Sequence, residues 1–183
     1  MNAADQRRRS FLLASGALAI GNMLPQVVAN SQASSRRGFV LDAGKGEHLI
    51  HFRDHGHVFI NVSEAAGSGS LALGTQQVTR GAGIPTHRHL QMDEAFYILE
   101  GSGTFTLNDA PYRFQKGATI FIPKNSWHSF SNPQHELLLL WLITPPGLDG
   151  FFRETCSPPG APPKQLTREQ IREIALKYGT EFR

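Results

Sequence analysis

The chain has 183 residues, of which 40 % are hydrophobic and 18 % charged, and its formal net charge is +3 at pH 7. This length suits one domain with its own core, and the absence of a basic run longer than residues 7–9 argues against a nucleic-acid partner. The 18 glycines, 11 prolines and 12 phenylalanines favour an all-β domain with many turns. The single cysteine, Cys156, excludes an intrachain disulfide and a multi-cysteine metal site.

The first predicted element is an export signal. Residues 7–13 read RRRSFLL, and an apolar, small-residue run of 14 residues extends from Phe11 to Leu24. A basic stretch followed by a short apolar run is the arrangement of a secretory signal peptide. Residues 8–12 also resemble the Arg-Arg-x-Phe-Leu core of a twin-arginine signal. The run is shorter than the ~20 residues of a membrane span. We therefore expect residues 1–29 to be a twin-arginine signal peptide, cleaved after residue 29 or after residue 33. The mature protein would be periplasmic or extracellular and have no stable membrane anchor.

A strand-rich region follows a polar lead-in that spans residues 30–44. Short apolar runs alternate there with turn signals such as Asn132-Pro133. Eight short strands at this spacing predict a β-sandwich or barrel over residues 45–145. The expected strands are residues 48–52, 58–62, 71–79, 95–100, 103–107, 119–122, 126–131 and 137–143.

The C-terminal part, residues 146–183, is predicted as a Pro-rich crossing followed by one α-helix. The helix is expected within LTREQIREIALKYG, where Thr167 and Gln170 can form a capping box and Gly179 is a typical stop. Four residues recur at helical spacing and form one apolar stripe: Ile171, Ile174, Ala175 and Tyr178. We expect this stripe to pack the helix on the outside of the barrel rather than to bind a partner.

Two short segments carry side chains that suit a metal ion. His87 and His89 project to the same face if their segment is extended, and the preceding Pro85 favours an extended entry. Glu94 follows among apolar residues, where a carboxylate must be paired, protonated or bound to a cation. His128 lies in the second segment, after a turn. Three imidazoles and one carboxylate are a good donor set for a first-row divalent metal.

These spacings resemble the two sequence motifs of the cupin superfamily. The first motif is matched by Gly81, His87, His89, Glu94 and Gly101. The second is matched by Gly117, Pro123, His128 and Asn132, with Asn125 where the family has glycine. Asparagine tolerates the left-handed conformation of a tight turn, so the turn is expected to be kept.

The resemblance covers about residues 45–145 and implies a cupin, or jelly-roll, double-stranded β-helix. It also implies that His87, His89, Glu94 and His128 bind one divalent ion (Fe, Mn, Ni, Co, Cu or Zn) inside the barrel. The alternative is a metal-free cupin in which these four are core polar groups satisfied by other partners. Cupins often form dimers, so the resemblance also raises the expectation of a homodimer.

The predicted function is a metal-dependent, dioxygenase-type oxidoreductase that acts on an aromatic or enol-type small molecule, since the chain resembles quercetin dioxygenase-type cupins. Glu94 is a candidate acid–base group as well as a ligand. Phe96, Ile98 and Phe130 share strand parity with a ligand and are candidate substrate-pocket residues. Two other functions remain open: a non-catalytic module that binds a metal or a small ligand, and a metal-dependent isomerase or hydrolase.

The remaining candidate groups are expected to be structural. We interpret His48, His51, His55 and His57 as part of a solvated hairpin, and His135 as a surface residue. Cys156 is expected to be unreactive, since no neighbour in sequence would lower its pKa. Most other large apolar residues are expected to fill the barrel, among them Phe105, Phe121, Trp127 and Trp141.

Overall fold

A computed structural model describes residues 37–183, and the predicted signal peptide lies outside this range. Within it, eleven strands and two helices follow one another along the chain. They are β1 Glu47–Ile50, β2 His57–Val62, β3 Ala72–Val78, β4 Ile84–His89, β5 Asp93–Glu100, β6 Ser102–Leu107, β7 Ala110–Gln115, β8 Thr119–Ile122, β9 His128–Ser131, β10 Leu137–Thr144, α1 Leu148–Thr155, α2 Arg168–Lys177 and β11 Thr180–Phe182. None of the helices in residues 37–183 has the length and apolar character that a membrane crossing requires.

The strands form two antiparallel sheets that pack face to face. One has the order β1-β2-β3-β10-β5-β8 and the other β11-β4-β9-β6-β7. Side chains of β3 and β10 alternate between buried and half-buried, as expected when one sheet face covers a core. Phe96 of the first sheet contacts Phe130 of the second, with ring centroids 5.0 Å apart. The predicted all-β barrel is confirmed.

Three strands were not among those expected. β4 holds the polar sequence IPTHRH, β7 begins with Ala110-Pro111, and β11 has only three residues. Each lacks the apolar alternation that identifies a strand in sequence. Pro111 is tolerated because β7 is the outer strand of its sheet.

The expected C-terminal helix is α2, and its predicted start is confirmed. Thr167 is the N-cap, and its side chain forms a reciprocal capping box with Gln170. Gly179 follows the helix with a φ of 67°, the left-handed conformation typical of a glycine at this position. The predicted apolar stripe packs against the core, with Ala175 fully buried.

The expectation of a single helix was wrong, because α1 lies within the Pro-rich crossing. Its residues Leu148, Phe151, Phe152 and Thr155 are buried and recur at helical spacing, so the helix has an apolar face of its own. Gly150 permits close packing against α2, since a Cβ there would lie 2.1 Å from Cε1 of Tyr178. α1 therefore closes one end of the space between the sheets with aromatic side chains.

Candidate metal centre

The structure brings the four predicted ligand residues together in the barrel interior. His87 on β4 lies directly opposite His128 on β9 in the antiparallel register. His89 follows on β4, and Glu94 enters from β5 of the other sheet. All four are buried, and one candidate ligand atom from each lies within 4.8 Å of the others. Both sheets thus contribute candidate ligands to a single site.

Hydrogen bonds at Nδ1 orient the imidazoles. His87 Nδ1 donates to the carbonyl oxygen of Pro85 at 2.8 Å, and His128 Nδ1 donates to that of Ser126 at 2.9 Å. A carbonyl only accepts, so Nδ1 is the donor in both rings, and Nε2 is the nitrogen that can face a metal. His89 Nδ1 lies 2.9 Å from the Thr180 hydroxyl, a partner that β11 supplies.

Glu94 lies among these rings as an ionised carboxylate. Its Oε2 is 3.0 Å from His89 Nε2 and 3.2 Å from His128 Nε2. Burial by itself would raise the pKa of Glu94, but the two histidines hold it well below its usual range. Burial, together with His128 and His89, also lowers the pKa of His87 well below its usual value, so this ring is neutral at pH 7.

This arrangement fits a divalent metal ion. The 3.2 Å contact of His128 with Glu94 lacks hydrogen-bond geometry, and His128 Nε2 is a buried atom without a partner among the described residues. Burying such an atom costs free energy unless something binds it. Imidazole nitrogens and one carboxylate are the donors that first-row metals prefer. The four side chains could therefore hold one ion, with positions left for another ligand.

A small cavity of about 50 Å³ adjoins the cluster. It holds a few water molecules at most, since one water needs roughly 10–15 Å³ by this kind of measure. Its polar wall includes His51, Arg53 and Gln76. Its aromatic wall consists of Phe52, Phe96, Trp141, Phe151, Phe152 and Phe182.

The three predicted pocket residues differ in position. Phe96 lines the cavity, but Ile98 and Phe130 do not. Ile98 is two residues further along β5, which places it about 7 Å beyond Phe96. Phe130 packs on Phe105 and Phe114 in the core. The alternation of side chains along a strand thus identified the face that points into the barrel, but not how far along the strand the cavity extends.

The loop between β1 and β2 contributes groups that sequence reasoning missed. His55 and His57 are exposed as expected, but His51 is only 3 % exposed, so its interpretation as a solvated residue was wrong. His51 and Arg53 of this loop line the cavity. Nothing in their local sequence predicts this, since the contact depends on long-range packing.

Other structural expectations had mixed outcomes. Phe121 is 60 % exposed on the outer strand β8, so it does not fill the barrel. Trp127 is half-buried, and the guanidinium of Arg88 stacks on it at 4.6 Å. Asn125 has a φ of 69°, which confirms that it takes the left-handed turn position. Burial raises the pKa of the Cys156 thiol, in agreement with an unreactive cysteine.

Comparison with known proteins agrees with this architecture. Residues 74–144 match the family model described as the cupin domain. Two similar solved structures are KdgF from Halomonas sp. and an RmlC-like cupin from Shewanella frigidimarina. The first has a TM-score of 0.52 and 17 % identity and covers 60 % of this chain and 94 % of that chain. The second has a TM-score of 0.53 and 15 % identity and covers 62 % and 97 %. The barrel has the cupin fold.

Two curated relatives match the cupin barrel at low identity. An uncharacterized protein of Methanocaldococcus jannaschii is 28 % identical over 78 residues, which are 43 % of this chain and 57 % of the relative. Quercetin 2,3-dioxygenase of Bacillus subtilis is 25 % identical over 120 residues, which are 66 % of this chain and 35 % of the relative. The matched segments thus span less than two thirds of either relative.

Proposed function

We propose that this cupin is a mononuclear metal-dependent oxidoreductase of the dioxygenase type, and that it acts on a small organic molecule through an enol or aromatic hydroxyl oxygen. The observation that carries the proposal is the buried cluster of three imidazoles and one carboxylate beside an aromatic-walled cavity. The similarity to a quercetin 2,3-dioxygenase supports this reaction class.

Each part of the site has a role in this proposal. A bound divalent ion would supply Lewis-acid chemistry toward a substrate oxygen. The His87 and His128 rings, oriented by backbone carbonyls, present Nε2 to the ion. The low pKa of Glu94 keeps it ionised, so it can bind the ion. A carboxylate this acidic is a weak base, so a further role as proton acceptor requires that the bound substrate raise its pKa. Aromatic rings on the opposite wall exclude water and favour a flat organic group.

The cavity volume limits the size of the substrate. Sites for drug-sized ligands measure roughly 300–1,000 Å³, and this cavity measures about 50 Å³. We therefore expect a substrate much smaller than quercetin.

Metal analysis and oxygen uptake test the proposal. The purified chain would be loaded with each first-row divalent ion in turn, and oxygen consumption recorded with small enols, catechols and 2-hydroxy acids. We expect His128→Gln to lose metal and activity together. His135→Gln is the matched control, because His135 is exposed in a turn. A metal-replete protein that consumes no oxygen with any of these compounds would refute the dioxygenase assignment.

A second candidate is a cupin that holds a metal without turnover. The small cavity favours it, because little space remains beside an ion for a reacting molecule. Stoichiometric metal, with no conversion of any compound in the panel under air, would support this candidate over the first.

We also propose that the protein is exported, and the Arg8-Arg9-Ser10-Phe11-Leu12 segment supports this. Expression in a bacterium with a twin-arginine system should yield a shortened product in the periplasmic fraction. Replacing Arg8 and Arg9 with lysine should retain the full-length chain in the cytoplasm. Unchanged export of this double variant would contradict the proposal.

A further inference from the structure

Buried nitrogen atoms without partners are concentrated in one part of the molecule. Among the described residues, the unpartnered buried side-chain atoms are Nε and Nη2 of Arg53, Nε1 of Trp141 and Nε2 of His128. Arg53 and Trp141 line the cavity beside the metal cluster, and His128 belongs to the cluster. A metal ion would account for His128 Nε2, whereas the nitrogens of Arg53 and Trp141 are hydrogen-bond donors. Folded proteins rarely leave buried donors unsatisfied, so these two residues indicate a ligand that supplies acceptors.

The charge of Arg53 is only partly offset by the described residues, since the neighbouring Asp54 carboxylate favours it without forming a direct ion pair. Arg53 makes no ion pair with residues 37–183 and stacks on none of their aromatic rings. The adjacent Asp54 carboxylate is engaged elsewhere: it accepts the Thr79 backbone N–H at 3.0 Å and lies 3.3 Å from His51. Burial lowers the pKa of Arg53, yet a guanidinium stays protonated at neutral pH. Arg53 is half-buried, and its buried Nε and Nη2 have no acceptor, which is costly unless a ligand supplies one.

A second, larger cavity shares part of its lining with the first. It measures about 470 Å³ and shares Phe52, Arg53 and Phe182 with the cavity at the metal cluster. Arg168 and Arg172 of α2 also line it. A cleft lined by arginines raises the local concentration of anions. Arg53 lines both cavities, so an anion drawn into the cleft would lie close to it.

We propose that the ligand of this site is a small carboxylate, held by the guanidinium of Arg53 while a second oxygen of the molecule faces the cluster of His87, His89, Glu94 and His128. This deepens the proposed function and rests on it for the role of the second oxygen. The geometry of the partners supports it: a guanidinium matches a planar carboxylate through two parallel hydrogen bonds. A carboxylate is acceptor-only, and the unpartnered wall atoms of Arg53 and Trp141 are donors.

Glycolate and glycolamide test the proposal, because they have nearly the same shape and differ in charge. Binding to the metal-loaded full chain would be followed by tryptophan fluorescence, since Trp141 lines the cavity, and by calorimetry. We expect glycolate to bind at least about tenfold more tightly than glycolamide, as charge-assisted hydrogen bonds predict. Arg53→Gln should remove this difference and leave metal content unchanged. Arg80→Gln is the matched control, because Arg80 is exposed and lines neither cavity.

Two further measurements keep the result decisive if Arg53→Gln does not fold. The comparison of glycolate with glycolamide needs no variant, and it is repeated on the metal-free chain, where no metal ion favours the carboxylate. Arg53→Lys retains the charge but loses the two-pronged contact, and should weaken glycolate binding several-fold. Equal affinity for the two compounds, undiminished glycolate binding by either variant, or preferential binding of inorganic phosphate would overturn the proposal. Arg53-dependent glycolate binding by a protein that consumes no oxygen would support this inference and refute only the dioxygenase assignment.

Discussion

Thr180→Val is expected to weaken metal binding although Thr180 is not a candidate ligand. Its hydroxyl lies 2.9 Å from His89 Nδ1, and the residue is only 2 % exposed. Thr180 lies opposite His89 in the pairing of β11 with β4. A hydroxyl can donate to Nδ1 or accept from it, so it permits the tautomer in which Nε2 has a free lone pair. Valine has the same shape and strand preference but cannot form this bond.

The expected loss follows from the position of the bond. Without the hydroxyl, a proton on Nδ1 is buried with no acceptor, or it moves to Nε2, the atom that faces the metal site. Partners that orient a metal-binding histidine typically contribute 10–100-fold in affinity, which is about 1.4–2.7 kcal/mol. We expect a loss in this range, with the same fold and the same number of ions bound.

Competition with a chromophoric chelator measures this loss. Wild type, Thr180→Val and Thr180→Ser would be stripped of metal and titrated with zinc, and their melting temperatures compared in the metal-free state. Serine keeps the hydroxyl, so its affinity should stay within about threefold of wild type. A folded Thr180→Val protein with wild-type zinc affinity would refute the argument that this hydroxyl sets the orientation of His89.

Two other substitutions and a change of pH test the metal site and the turn at Asn125. Glu94→Gln keeps the shape but removes the single carboxylate of the cluster, so zinc affinity should fall by more than about 100-fold; retention of zinc through chelator dialysis would contradict this role. The metal-free protein should lose stability as pH falls from 7.5 to 5.5, because the lowered pKa of His87 means that the unfolded chain binds more protons. Urea denaturation at each pH measures this loss, and His87→Gln should reduce it. Asn125→Ala should lower the free energy of unfolding by about 1–2 kcal/mol, because alanine is strained at a φ of 69°. Asn125→Gly should be neutral or stabilising. Equal melting temperatures of the alanine and glycine variants would contradict this.

The sequence predicted the parts of the structure that follow local rules. Alternating apolar residues indicated the central strands, and the capping box placed the start of α2 at Thr167. Two-residue parity placed His87 and His89 on one face of β4, and both are buried there. The left-handed turn at Asn125 followed from the resemblance to the cupin motif, together with the tolerance of asparagine for that conformation. These features depend on neighbours within a few residues, which the sequence displays directly.

Only the tertiary structure showed which distant residues complete the site. Thr180 approaches His89 across 91 positions of the chain, and the β1–β2 loop brings Arg53 beside the cluster. The helix α1 was not predicted although its apolar residues recur at helical spacing, and nothing in the sequence shows that Phe151 and Phe152 line the cavity. Such contacts arise from sheet register and loop packing between segments far apart in the chain. The sequence by itself therefore determined the candidate ligands, while tertiary packing decided the size, charge and chemical character of the space in front of them.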